Sequence, residues 1–191
     1  MHPKEERIIA AAIEKFSKKG ANSTTIQEVA TAAGVGKGTI YRYFENKEGL
    51  ISSLIEFGID KVSKAIKEGL IGLDDPVEKL EAIIIAKLEF YNQHYDFGRF
   101  LMREIWGHKD KFEDHIQLIR DNHTVVLEET IEEGIVAGKF KEVNVETAAV
   151  SLMGMININA LHWMMFNQEF PIEELKNDII ELFFDGVLEK S

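Results

Sequence analysis

The sequence predicts an all-α protein, with an N-terminal helix-turn-helix domain of three helices ahead of a larger helical domain, about nine helices in all. Two observations carry this. Apolar residues recur at three- and four-residue spacings along nearly the whole chain, and no run shows the two-residue alternation or the turn dipeptides of a hairpin. The only prolines, at positions 3, 76 and 171, each fall near the start of a helical pattern, where the missing N–H does no harm.

The first helix is expected from about Lys4 to Lys19, with Ile9, Ile13 and Phe16 on one face and Gly20 as its stop. In "STTIQEVATAAG", Thr25 and Glu28 stand at capping-box spacing, so a short helix starts there and ends at Gly34. A second short helix begins near Lys37 and stops by Tyr43 or Phe44. Asn46 caps a longer helix running from Lys47 towards Gly69. Further breaks are expected at "GLDDP" (72–76), "HYD" (94–96), "GHKD" (107–110), "GKFKEVN" (138–144) and "QEFP" (168–171).

Composition removes several classes of function. The 191 residues include no cysteine, which excludes disulfides, thiolate metal sites and cysteine nucleophiles. "MHPKEERIIAAAIEKF" lacks the apolar core of a secretory signal, so a cytoplasmic location is expected. The net charge of -11 is unevenly spread. Residues 1–50 carry eight Lys/Arg against six Asp/Glu, and the remainder carries 14 against 27. A mildly basic head on an acidic body lets the head meet a polyanion while the body stays soluble. From Thr147 to Gln168 no side chain is ionised at neutral pH, a length sufficient to span a bilayer. Asn157, Asn159, His162 and Asn167 are costly in lipid and no basic cluster flanks the segment, so a helix buried on most sides by protein is expected instead, with no membrane partner.

"GVGKGTIYRYFENKEGL" (34–50) has the glycines, lysine and threonine of a phosphate-holding loop. It is no Walker A loop: Gly38 follows Gly36-Lys37, Thr31 stands where the first glycine is needed, and a helix precedes it. Nor does a βαβ unit surround it, as a dinucleotide site requires. Two short helices around the "GVG" turn fit a helix-turn-helix, with Gly34 supplying the positive φ. Val29, Ala30, Ala33, Val35 and Ile40 are spaced to pack the two helices together. Lys37, Gly38, Thr39, Tyr41, Arg42 and Tyr43 are left at the start and outer face of the second, where they suit phosphates and base edges.

Residues 4 to 54 resemble the N-terminal DNA-binding domain of the TetR family of transcriptional regulators. The match runs through "TTIQEVATAAGVGKGTIYRYFENKEGL": a threonine opening the first motif helix, a G-V turn, K-G-T-I-Y, an aromatic pair and N-K-E-x-L. The resemblance implies a DNA-binding domain over residues 1–46 and a ligand-binding and dimerisation domain over 47–191. It places Thr24, Thr25 and Gln27 where the first motif helix meets phosphate. Lys37, Gly38, Thr39, Tyr41, Arg42 and Tyr43 become a recognition helix in the major groove, and Lys47 a phosphate contact. Each has a plainer role open to it: Thr25 as a cap, Tyr41 or Tyr43 as partial core, Arg42 as a solvated charge. The function implied is a repressor that binds a palindromic duplex operator as a homodimer and is released by a small hydrophobic or amphipathic effector.

The remaining residues add to that expectation. The uncharged helix at 147–167 has more apolar surface than one face needs, and Ser151, Gly154 and Ile158 would let another helix approach. Leu175, Ile179, Leu182 and Phe183 form a stripe on the last helix. His123 lies on the stripe Phe112, Ile116, Ile119, His123, Leu127, Ile131, and Asn157 and His162 interrupt an apolar helix. Buried polar groups need partners, and a few of them in an apolar cavity are the usual anchors of a small-molecule site. The candidate effector set is Phe90, His94, Phe97, Arg103, Trp106, His123, Asn157, Leu161 and Met164, with neighbouring methionines as an adaptable wall. The C-terminal portion faintly resembles the fatty-acid-metabolism regulators within this family, which respond to acyl-CoA, and Arg103 would then meet a carboxylate or phosphate. Amphipathic drugs, for an efflux regulator, are the alternative ligand class. His94, His108, His115 and His123 raise the different possibility of a metal-dependent enzyme, but no H-E-x-x-H or comparable ligand set appears, so neither a cofactor, a metal nor catalysis is expected.

Overall fold

A computed structural model describes residues 2–107, 113–166 and 171–187, apart from the side chains of Met102, Arg103, Ile105, Trp106 and Ile116. Its helices are α1 (Pro3–Lys19), α2 (Ile26–Ala33), α3 (Lys37–Phe44), α4 (Lys47–Gly69), α5 (Pro76–Gln93), α6 (Tyr95–Gly107), α7 (Glu113–Ile119), α8 (Val125–Val136), α9 (Val145–Phe166) and α10 (Ile172–Val187). A π-helical turn, Arg120–Thr124, joins α7 to α8 without a break. Counting that run as one gives nine helices among the described residues, and no strand is found among them, as the sequence predicts.

Local chemistry explains the ends. Thr25 caps α2 and Glu28 returns the bond to the Thr25 N–H at 2.8 Å, completing the predicted capping box. Gly34 closes α2 in the left-handed region at φ 64°. Asn46 accepts from the Gly49 N–H at 2.7 Å and so caps α4. Pro76 opens α5 behind the cap Asp75. The α5–α6 break falls at His94, within the predicted "HYD". The predicted breaks at "GHKD" and "QEFP" lie largely outside the described residues.

The chain forms two compact units, Met1–Gly58 with Asp96–Ile116 and Ile59–Tyr95 with Gln117–Ser191. In the first, Ile8, Phe16, Val29, Ile40, Leu50 and Phe100 are wholly or almost wholly buried, and the rings of Phe16 and Phe100 stack at 5.8 Å. The second is built around Leu80, Ile83 and Ile84 of α5, Leu127 and Ile131 of α8, and Leu152 and Ile156 of α9.

α9 shows the surplus apolar surface that its sequence predicts, but within its own chain it is not buried on most sides. It is the one described helix long and apolar enough to cross a membrane, yet only 33% of its most apolar window is buried within the chain. Val150, Ile158, Met165 and Phe166 stand exposed, and so does Leu182, which leaves the buried stripe of Leu175, Ile179 and Phe183 on α10. One helix cannot turn every side to a single small core, so the surplus apolar surface faces outward.

Candidate nucleic-acid interface and interior polar site

In the first unit, α2 and α3 pack through Val29, Ala30, Ala33 and Ile40, all buried, and Phe44 seals the end of α3. This fixes what α3 shows outside. Lys37, Gly38, Tyr41 and Arg42 are exposed, and Thr39 and Tyr43 are half-buried. The Lys37 ammonium lies 5.6 Å from the Tyr41 ring centroid and the Arg42 guanidinium 5.5 Å from that of Tyr43. Each cation is thereby held over a ring while its N–H donors stay available. Gly36 starts α3 with no side-chain cap, and its carbonyl takes the Thr39 N–H at 2.8 Å, so the Lys37 and Gly38 amides of the first turn are left for an external acceptor. A Cβ at Gly38 would meet nothing within 4 Å, so its missing side chain serves the outer surface and not the packing beneath.

The flanking residues divide. Gln27 and Thr25 are exposed, Thr25 with its hydroxyl on Glu28 at 3.0 Å, and Lys47 is half-buried at the start of α4. Thr24 is 1% exposed, and its hydroxyl donates to the carbonyls of Gly20 at 2.9 Å and Lys15 at 3.3 Å. Its side chain therefore ties down the end of α1 instead of standing at the surface. The Lys19 ammonium, then Thr25, hold the Glu28 carboxyl down to about 2, so the capping box stays ionised. Sequence reasoning missed His2, which caps α1 through Nδ1 and meets the Tyr43 hydroxyl at 3.1 Å.

In the second unit the candidate effector residues are scattered. Phe90 and His94, rings 5.0 Å apart, line an open groove of about 600 Å³ between α4 and α5, together with Lys61, Lys64, Glu68 and Glu89. His94 is exposed; burial, then the Lys61 charge, lower its pKa. His123 is 4% exposed, and its Nε2 lies 3.1 Å from Ser63 Oγ and 3.3 Å from the Ile59 carbonyl. Burial and then the Lys87 charge push its pKa down to about 3, so the ring is neutral. Asn157 accepts from the Tyr91 hydroxyl at 3.0 Å. Met164 is buried and its carbonyl accepts from the Tyr95 hydroxyl at 2.8 Å; Leu161 is half-buried and His162 exposed. Phe97 belongs to the first unit, stacked on Phe100 at 6.3 Å. The side chains of Arg103 and Trp106 lie outside the described residues.

Sequence reasoning also missed Lys87, which is 1% exposed inside the second unit. The signal was present. In "EAIIIAKLEFY" the lysine stands four residues after Ile83 and four before Tyr91, on the apolar face. Of the histidines, His115 faces Glu56 at 3.6 Å and His123 faces Ser63, and no group of three or more potential metal ligands gathers among the described residues.

Comparison with known proteins bears on both sites. Residues 8–54 match the model of the bacterial regulatory proteins of the tetR family, and residues 73–187 match that of the tetracyclin repressor-like C-terminal domain. The fatty acid metabolism regulator protein of Bacillus subtilis is 27% identical over 98% of this chain and 97% of its own. A crystal structure of the Bacillus subtilis regulator FadR in complex with stearoyl-CoA superposes with a TM-score of 0.85 at 25% identity, covering 95% of this chain and 98% of that one. The regulator PfmR of Thermus thermophilus gives a TM-score of 0.79 at 27% identity over 96% of this chain and 100% of that one. With both of its parts matched in order and more than half of its length under the C-terminal model alone, the chain belongs to the TetR family of transcriptional regulators.

Proposed function

We propose that the protein is a cytoplasmic repressor that binds a palindromic DNA operator as a homodimer and is released by a long-chain fatty acyl-CoA. Residues 1–46 make the DNA contacts, and residues 47–191 bind effector and form the dimer. The observation that carries the reading is the outer face of α3, which combines an uncapped N-terminus, an open Gly38 and two cation–aromatic pairs. Backbone and cationic donors there hold phosphates, while tyrosine and threonine reach base edges. Two such helices about 34 Å apart suit successive half-sites, and the exposed apolar face of α9 and α10 supports a second copy as its cover. The acyl-CoA assignment is supported by the relatives: one is a fatty acid metabolism regulator, and a solved homologue holds stearoyl-CoA. Release requires the effector to bind the DNA-free conformation more tightly than the DNA-bound one.

The test is selection of duplexes from a random pool, followed by titration of the selected DNA with and without stearoyl-CoA. The expected result is a two-fold motif whose binding weakens steeply with salt and is reversed by the thioester. Enrichment of no two-fold motif would overturn the operator reading. Release by amphipathic drugs with no effect of stearoyl-CoA would replace the acyl-CoA by the efflux-type ligand.

A further inference from the structure

The interior of the second unit holds an ammonium with no counter-ion among the described residues. Lys87 lies on the inward face of α5, one turn before Tyr91, and is 1% exposed. Among the described residues nothing gives its Nζ a hydrogen bond or an ion pair, and burial alone lowers its pKa, to about 8, so at neutral pH it is charged. The polar groups described around it supply no negative charge. His123 is neutral and engaged with Ser63, and the Tyr91 phenol, kept neutral as burial raises its pKa, donates to Asn157. Buried charges in proteins are normally paired, and an ammonium has three donors to place. His123 also sits on the π-helical turn Arg120–Thr124, which widens the helix at that level; such turns occur disproportionately at functional sites.

The missing partner has a definable chemistry. It must carry a full negative charge, since a neutral oxygen would leave the ammonium uncompensated. It must also bring an apolar body, because α5, α8 and α9 bury Ile83, Ile84, Leu127, Leu152 and Ile156 in the same unit. A phosphate-rich headgroup is too strongly hydrated to follow it inside. We propose that Lys87 anchors the carboxylate of an apolar-tailed acid, a long-chain free fatty acid, in the interior of this unit. This goes beyond the thioester reading, whose acyl oxygen carries no full charge.

Calorimetric titration of the full-length protein with palmitate, hexadecanol and palmitoyl-CoA tests it, using the native chain, Lys87→Met and Lys87→Arg. Melting curves first establish that each variant is folded. Palmitate should bind the native chain and Lys87→Arg, and bind Lys87→Met at least about ten-fold more weakly. Hexadecanol, which has the tail but not the charge, should bind native and Lys87→Met alike. Equal palmitate affinity in native and Lys87→Met, an equal loss of hexadecanol, or no palmitate binding to the native chain would overturn the proposal. Palmitate bound through Lys87 with no binding of palmitoyl-CoA would uphold it and remove the thioester reading.

Discussion

Single residues in the second unit set how stability responds to pH. Burial lowers the Lys87 pKa from 10.5 to about 8, so between those values the unfolded chain binds more protons and stability rises with pH. At neutral pH the buried charge costs of the order of 3 kcal/mol. Lys87→Met should therefore raise the melting temperature at pH 7, and the gain should vanish as the pH approaches 10.5; calorimetry at pH 7 and pH 10 reads both. His123 works on the acid side. Its pKa falls from 6.5 to about 3, so its neutral buried form is fully accommodated above pH 6.5 and stability drops as pH descends from there towards 3. The expected slope is about 1.4 kcal/mol per pH unit near the middle of that window. His123→Gln, which keeps a donor for Ser63 and cannot be protonated, should flatten this limb in urea unfolding between about pH 4 and pH 7. Lys87→Met should flatten it in part, since the Lys87 charge contributes to the depression.

Elements of the first unit depend on short turns that hold α3 outward. Between α3 and α4 the chain makes a γ-turn at Glu45, φ 58°, with the Asn46 N–H on the Phe44 carbonyl at 2.5 Å. That carbonyl leans against α4, where a Cβ on Gly49 would overlap its oxygen. Gly49→Ala must open the turn and shift α3, so it should weaken DNA binding as well as stability. Thr25→Ala removes a cap at the far end of the motif and should cost about 1 kcal/mol. Denaturant unfolding beside DNA titration separates the two, and unaltered binding by Gly49→Ala would detach α3's placement from this turn. Caps, the Gly34 turn and the α3 surface were legible in the sequence because each is decided within a few residues. The π-helical turn was not, although the stripe Ile119, His123, Leu127, Ile131 hinted at it: four-residue steps drift by about 40° each on an α-helix, and a wider turn absorbs the drift. The resemblance set Thr24 against phosphate although its side chain is buried, and the stripe on α10 put Leu182 with Leu175, Ile179 and Phe183 although it alone of the four is exposed, because sequence spacing places a residue on a face without saying what that face meets.

The charge of the whole molecule is unevenly divided along the chain. The net of about +2 in residues 1–50 is small, and the acidic remainder repels a polyanion, so one head alone should hold DNA weakly. In the proposed dimer, affinity then depends on joining two heads, which makes the outward face of α9 and α10 decisive. Val150, Ile158, Met165, Phe166 and Leu182 are each at least 51% exposed, and the two helices that carry them pack on one another. Burying each against a second copy is worth about 1.5–3 kcal/mol, while a charge placed there would be buried unpaired. Leu182→Glu with Ile158→Glu should leave the first unit folded, shift the chain to monomer in sedimentation, and abolish binding at concentrations where the native protein saturates a two-fold operator. Because neither residue lies on the unit that carries α3, loss of DNA binding together with dimerisation would tie the two functions through symmetry alone. A dimer that survives both substitutions would place the subunit contact elsewhere and leave the exposed face of α9 to another partner.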